Sequence, residues 1–225
     1  MDSGRVVIYG PENGRNFPYH RLLRVKADLS VTMDRYFSYV SHVENIYAKA
    51  SGVLYFLHRN KNNFDKESRK LVIVALVVSV LSYCSTIWSG SSSLNTHKIQ
   101  KIQNFASKVA VGHGRKCDHA TPYINEMEWL KIESKIVYDV SVFTYKVLHG
   151  YTPERTLTLE TVAQRRSRQT RLSNQLAIPA RRTKIADRAT SIRGAKFWNA
   201  LPHDVRECES LYSFKKKLKS HLIQS

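Results

Sequence analysis

The chain has 225 residues, of which 36 are Lys or Arg and 18 are Asp or Glu, giving a formal net charge of +18 and a pI near 10.0. This balance argues against a metabolic enzyme of the cytosol, while 42% hydrophobic residues suffice to fill a core and argue against a wholly disordered basic tail. Three widely spaced cysteines do not suggest a disulfide framework and favour a reducing compartment.

The first 35 residues are predicted to form short strands and loops. Glycines and prolines interrupt their apolar runs, and the two places that favour strands are residues 5 to 10 and 25 to 33. The N-terminus lacks the charged-then-apolar order of a secretory signal. We therefore expect an intracellular protein, nuclear or cytoplasmic.

Residues 36 to 112 are predicted to form a helical bundle. Apolar residues recur at three- and four-residue spacing from Ser38 to about Leu57, which is typical of a helix with one buried face. Asp65 is a candidate cap for a second helix that starts at about Lys66. A third helix is predicted over 95–111, with lysines outside its apolar face.

The second of these helices contains the one candidate for a membrane span. Residues 71 to 88 carry no charge, and eighteen residues is the lower edge of the length that crosses a bilayer. Its continuous apolar part stops at Leu81, and serines and a threonine dilute the remainder. We interpret the stretch as a buried helix and expect no membrane, and a membrane-attached protein remains the less favoured alternative.

Residues 113 to 225 are predicted to form a basic helical region. Apolar periodicity predicts helices over 133–149, 187–200 and 210–222. Between the first two of these, residues 152 to 186 show no sustained period and are interpreted as an extended basic connector. The predicted fold class is therefore mainly α, with a helical bundle, a small β contribution near the N-terminus and a connector before two C-terminal helices.

Sequence patterns for common catalytic sites are missing. The chain contains no adjacent aspartate pair, no Gly-x-Ser-x-Gly, no phosphate-binding Gly-rich loop and no His-Glu-x-x-His. His113, Cys117 and His119 are close enough in sequence to consider zinc, but no fourth ligand stands at the usual spacing. An ordinary loop is the favoured interpretation, and no metal or cofactor is predicted.

Positive charge is concentrated in the last third of the chain. Residues 151 to 225 hold sixteen basic and six acidic residues, and within them 164–196 holds ten and one. Binding of Lys and Arg to phosphates is favourable because it releases the counterions condensed on the nucleic acid, so this density of positive charge predicts contact with a nucleic-acid backbone. The predicted binding residues are Arg165, Arg166, Arg168, Arg171, Arg181, Arg182, Lys184, Lys215, Lys216, Lys217 and Lys219. A solvated connector or a nuclear import signal remains an alternative.

Four aromatic residues lie in or near this basic region, and they could stack on bases. They are Tyr151, Phe197, Trp198 and Tyr212. Aromatic residues at helical spacing more often belong to a core, so a core role is the favoured interpretation.

Several blocks in the chain resemble the reverse transcriptases of jockey-like, LINE-type non-LTR retrotransposons. Residues 76–90 (LVVSVLSYCSTIWSG) and 99–112 (IQKIQNFASKVAVG) resemble the segment that follows the catalytic palm in that family. Further blocks follow in the family's order: HATP (119–122), EWL (128–130), YKVLHG (145–150), TRL (170–172), FWNALP (197–202) and SLYSFKKKL (210–218). Upstream, LSVTMD (29–34), HVENI (42–46) and residues 50–59 resemble the end of the palm and the start of the thumb.

The resemblance implies an RNA-directed DNA polymerase that primes on nicked chromosomal DNA. It would make residues 1–35 a palm remnant, 36–112 the thumb and 113–225 the C-terminal region, without the catalytic aspartates. We therefore expect no enzymatic activity and at most sequence-tolerant binding of RNA or DNA backbone. The alternative is an inert remnant or a protein-interaction module, whose apolar thumb face pairs with the missing palm or with another chain.

Overall fold

The computed structural model describes residues 25–26, 31–34, 36–112, 117–153, 156–165, 175–180, 182–183 and 185–224. These residues are mainly helical, which confirms the predicted fold class. They divide into two compact units, unit 1 with Met1–Cys84 and Ser91–Ala120, and unit 2 with Ser85–Gly90 and Thr121–Ser225. The sequence did not predict that Ser85–Gly90 belongs to unit 2.

The small β contribution consists of two short strands in unit 1. Strand β1 (Val25–Lys26) pairs antiparallel with β2 (Thr32–Met33), with Val25 opposite Met33. The strand prediction for residues 25 to 33 is thus confirmed. The other predicted strand, at residues 5 to 10, lies outside the described residues.

Unit 1 is built from helices α1 (Val40–Arg59), α2 (Lys66–Ile73), α3 (Ser79–Ser82) and α5 (Ser93–Val111). Asp65 caps α2 by accepting hydrogen bonds from the backbone N–H groups of Glu67 and Ser68, at 3.1 and 3.2 Å. This confirms the predicted cap. The helices pack through their periodic apolar faces, with a core that includes Val43, Ile46, Leu54, Leu57, Ile73, Val77, Ile99 and Ile102.

The uncharged stretch from residue 71 to 88 is not one helix. A π-helical turn (Val74–Val78) joins α2 to α3, which ends at Ser82. Tyr83 is extended and Cys84 has a φ of +50°, and α4 (Ser85–Trp88) follows as part of unit 2. No helix among the described residues combines the length and the apolar character that a membrane crossing needs.

Unit 2 is organised around α7 (Ile132–Leu148), α9 (Thr190–Ala200) and α11 (Leu211–Gln224). Its core consists of Tyr145, Leu176, Ala195, Trp198, Leu201, Val205, Cys208, Phe214 and Leu218. The ring of Tyr145 stacks on Phe214 at 4.4 Å between centroids, and its hydroxyl donates to the carbonyl oxygen of Cys208 at 2.8 Å. The short helices α6 (Thr121–Glu126), α8 (Val162–Arg165) and α10 (His203–Arg206) were not predicted.

The basic connector is anchored to unit 2 at its base. Thr161 and Leu176 form an antiparallel bridge, supported by a backbone hydrogen bond from Val162 N–H to the Gln175 carbonyl at 2.8 Å. The side chain of Asn199 in α9 accepts from the Leu176 N–H and donates to the Leu176 carbonyl, both at 2.9 Å. The described segments 156–165 and 175–180 are therefore paired with each other, and the second is bound to α9.

Candidate nucleic-acid interface

The structure describes six of the eleven predicted binding residues, all in unit 2. Arg165, the last residue of α8, and Arg182 are exposed. The four lysines of α11 are also described. The other five lie outside the described residues: Arg166, Arg168, Arg171, Arg181 and Lys184.

The lysines of α11 divide between two flanks of the helix. Leu211, Phe214, Leu218 and Leu222 define its inner face, because residues three and four apart share a face. Lys216 and Lys217 are exposed, whereas Lys215 and Lys219 are half-buried. The ammonium nitrogen of Lys219 lies 3.9 Å from a carboxylate oxygen of Glu128, so part of its charge is already compensated within unit 2.

A groove of about 510 Å³ lies between α10 and α11. Its basic lining consists of Lys216, Lys217 and His221, and the hydroxyls of Ser213 and Ser220 also border it. Lys217 donates to the backbone carbonyl of Asp204 at 3.2 Å, which fixes the position of its ammonium group. The backbone carbonyl of Lys216 accepts a hydrogen bond from the Ser220 hydroxyl at 3.1 Å, whereas its exposed ammonium group has no hydrogen bond or ion pair with the described residues and can bind a ligand.

The groove presents donors that can bind an anion. Lysine ammonium groups and serine hydroxyls are donors to phosphate oxygens, and they carry no preference for a base. Asp204 is the one carboxylate among the described residues that line the groove. The ammonium group of Lys217 contacts the backbone carbonyl of Asp204, so this carboxylate lies near Lys217 and reduces the attraction of that lysine for a phosphate.

The four aromatic residues of the basic region separate into buried and exposed ones. Trp198 belongs to the core, as favoured, and Phe197 is half-buried with the Arg193 guanidinium 5.7 Å from its ring centroid. Tyr151 is exposed and lies near the Tyr145 ring. Tyr212, near the start of α11, is 77% exposed.

Arg193 and Lys196 show that the net charge of residues 164 to 196 overstates the charge at the surface. Arg193 is only 8% exposed; it donates to the hydroxyl of Ser89 at 3.0 Å, and burial lowers the pKa of its guanidinium below the usual value. Lys196 pairs with Asp187 at 2.9 Å. Neither residue was in the predicted binding set.

The candidate zinc ligands are only partly described. Cys117 and His119 are exposed, and His113 lies outside the described residues. Within the part of the chain that the structure covers, no three His, Cys, Asp or Glu side chains come together as a metal site would require.

Comparisons of the chain with models of protein families, with curated proteins and with solved structures found no match. The resemblance to non-LTR retrotransposon reverse transcriptases therefore stays a prediction that rests on the sequence blocks. In unit 2, several residues of those blocks have a structural role that is now visible. Tyr145, Trp198 and Phe214 form the aromatic centre of the core, and Asn199 holds the base of the connector.

Proposed function

We propose that the chain is the catalytically incomplete C-terminal part of a non-LTR retrotransposon RNA-directed DNA polymerase, and that it binds RNA or DNA backbone without sequence preference. The groove between α10 and α11 carries the binding proposal, because it presents two exposed lysines beside serine hydroxyls. The ordered sequence blocks support the origin of the chain. An intracellular location, nuclear or cytoplasmic, is part of the proposal.

The physical basis of the binding is phosphate neutralisation. Each phosphate that a Lys or Arg neutralises releases condensed counterions into solution, so affinity falls as salt rises. Lys216, Lys217, Arg165 and Arg182 are exposed cations that can make such contacts. Lys215 and Lys219 are half-buried and lie on the other flank of α11, so the proposal does not depend on them.

A salt titration tests this proposal. Binding of mixed-sequence duplex DNA and RNA is measured by fluorescence anisotropy between about 50 and 200 mM salt, the range in which counterion release is largest. If about six phosphates are neutralised, log affinity falls with log salt at a slope near −5 on duplex DNA. Affinity that does not change with salt would overturn the proposal.

The proposed absence of polymerase activity has its own test. A primed RNA template is incubated with the protein, deoxynucleotides and Mg²⁺, and an active reverse transcriptase serves as the positive control. We expect no primer extension, because the blocks that the chain matches carry none of the family's catalytic aspartates. Extension that depends on the protein would contradict this part of the proposal.

A second candidate function is docking of a protein on unit 1. Its helices expose large apolar side chains, including Leu71, Val74 and Leu76 around the π-helical turn, and Leu71 is 70% exposed. Contiguous exposed apolar surface marks interaction sites more often than single scattered residues do. Light scattering separates the two functions, because a tight oligomer that does not respond to nucleic acid favours docking.

A further inference from the structure

An exposed aromatic ring is carried by α11, the helix that forms one wall of the groove between α10 and α11. Tyr212 is 77% exposed, which leaves its ring faces accessible to a ligand. It precedes Lys216 by four residues in the same helix, and residues at this spacing are neighbours on a helix surface, about 5–6 Å apart at Cβ. The ring therefore stands next to a lysine that borders the groove.

Packing in the core does not explain why a tyrosine occupies position 212. The inner face of α11 is occupied by Phe214 and Leu218, which are fully buried, while Tyr212 points away from that face. By contrast, Tyr145 in the same unit is fully buried and uses its hydroxyl to bond the Cys208 carbonyl. The ring of Tyr212 thus adds little to the stability of unit 2.

The aromatic ring of Tyr212 and the nearby lysines offer partners for the two parts of a single-stranded nucleic acid, its bases and its phosphates. Proteins that bind single strands combine a positively charged groove for the phosphates with aromatic side chains on which bases stack. In a duplex the base faces are covered by neighbouring base pairs, so a side chain on the outside of a helix cannot stack on them. The volume of about 510 Å³ falls in the range of sites that hold a small organic group, roughly 300–1,000 Å³.

We infer that the groove between α10 and α11 binds single-stranded RNA or DNA, with phosphates on Lys216 and Lys217 and one base stacked on Tyr212. This inference rests on the proposed function and names the form of nucleic acid that the site selects. The site reads no base edge, so it tolerates any sequence.

The test measures binding of the full chain to labelled single strands of RNA and of DNA and to a duplex of the same sequence, by anisotropy at one salt concentration. The wild type is expected to prefer a single strand. Tyr212→Ala is expected to weaken single-strand binding by about 5- to 150-fold, the range that loss of one stacked base produces, and to leave duplex binding unchanged. Tyr212→Phe, which keeps the ring, is expected to bind as the wild type does.

Two lysine variants locate the phosphate contacts. Changing Lys216 and Lys217 together to Ala is expected to reduce the salt slope on single strands by about 1.4, which is two contacts at about 0.7 each. Lys131→Ala is the control, since it removes an exposed lysine of unit 2 that neither lines the groove nor lies in α11. Circular dichroism of each variant shows whether unit 2 is still folded, which is expected because all these side chains are at least partly exposed.

Each result decides between the two proposals. Equal affinity for single strand and duplex, with no effect of Tyr212→Ala, would overturn this inference and leave backbone binding intact. Failure to bind either form would overturn both. A polyglutamate competitor has the charge but no bases, and displacement of the single strand by it at equal charge concentration would show that stacking contributes nothing.

Discussion

The carboxylate of Asp34 organises the backbone just before α1. It accepts hydrogen bonds from the N–H groups of Tyr36, Ser38 and Tyr39, at 2.9 to 3.1 Å, and from the Ser38 hydroxyl. Phe37 and Tyr39 have φ values of +50° and +55°, which residues other than glycine rarely adopt. Burial raises the pKa of Asp34, but the hydrogen bonds from Ser38, Tyr36 and Tyr39 outweigh it, so the pKa lies below the ordinary 3.8.

Replacing this carboxylate should destabilise unit 1 in a pH-dependent way. The pKa of Asp34 is lower in the folded state than the ordinary value of 3.8 that it has in the unfolded chain. The ionised carboxylate therefore stabilises the fold fully above about pH 3.8, and this stabilisation is lost as the pH falls through the folded-state pKa. We expect Asp34→Asn to cost about 1–2 kcal/mol at pH 7, because hydrogen bonds to a charged acceptor contribute about 1.5–3 kcal/mol and the amide keeps one neutral acceptor oxygen, and to cost less in acid. Urea unfolding at pH 7 and at pH 3 measures the difference.

A control for this prediction is Glu44→Gln. Glu44 lies on the exposed surface of α1 and pairs with Lys98 at 3.3 Å, and exposed ion pairs contribute roughly 0–1 kcal/mol. If Asp34→Asn lowers stability equally at both pH values, the carboxylate charge is not what holds the turn.

Asn199 is the residue that ties the connector to α9. Its replacement by Ala would leave the N–H and the carbonyl of Leu176 without these partners, and Leu176 is only 3% exposed. We expect Asn199→Ala to cost about 1–3 kcal/mol, the penalty for a buried polar group that loses its hydrogen bond. Thermal unfolding measures this, and the exposed Asn62→Ala is the matched substitution, for which no comparable loss is expected.

At the scale of elements, α7 and α9 approach closely at Gly194. A Cβ at this position would lie 2.6 Å from the hydroxyl oxygen of Thr144, which is fully buried in α7. We expect Gly194→Ala to cost about 1–3 kcal/mol through overpacking, measured by urea unfolding. Thr144→Ala removes the clashing oxygen, so the double variant should be more stable than the sum of the single effects predicts.

Gly52→Ala is the matched control for Gly194→Ala. Gly52 lies inside α1, and a Cβ there would meet no atom within 4 Å. The substitution should stabilise the protein by about 0.5–1 kcal/mol, because alanine has the higher helix propensity. Equal effects at both glycines would mean that helix propensity, and not the close approach to Thr144, governs position 194.

The elements that the sequence could predict are those with a long apolar period or a local capping signal. The helix predicted from Asn95 and the cap at Asp65 are both present, because each depends on neighbours in the sequence. The break at Tyr83 could not be predicted, because it follows the apolar run that stops at Leu81 and no glycine or proline marks a helix end there. Ser85 lies in unit 2, where its hydroxyl donates to the Asp139 carboxylate at 2.7 Å, a contact between residues 54 apart in the sequence that no local pattern reveals.

At the scale of the whole molecule, the sequence determines how much positive charge there is but not where it lies. Arg193 and Lys216 are equivalent in a count of charges, yet one is buried against Ser89 and the other borders a groove. The groove itself could not be predicted, because α10 has only four residues and shows no period. Dense charge thus led to a binding hypothesis for the region, which stays a prediction, and it did not distinguish the residues that can reach a ligand.

This difference between buried and exposed charge leads to a prediction for nucleic-acid binding. Arg193→Met removes a buried guanidinium whose Nη1 has no hydrogen-bond partner among the described residues. Since a buried charge is costly to desolvate, its replacement by an apolar side chain of similar length should be neutral or stabilising. Affinity for duplex DNA and the salt slope should stay at the wild-type values.

Arg165→Met is the matched variant for Arg193→Met, because it makes the same chemical change at an exposed position. If Arg165 contacts one phosphate, its loss should reduce the salt slope on duplex DNA by about 0.9 without changing the unfolding temperature. Anisotropy across a salt series and thermal unfolding of both variants measure the two effects. A larger fall in the salt slope for Arg193→Met than for Arg165→Met would contradict the prediction. It would mean that Arg193 becomes exposed in the bound state and that the nucleic acid contacts a different surface from the one that carries Arg165.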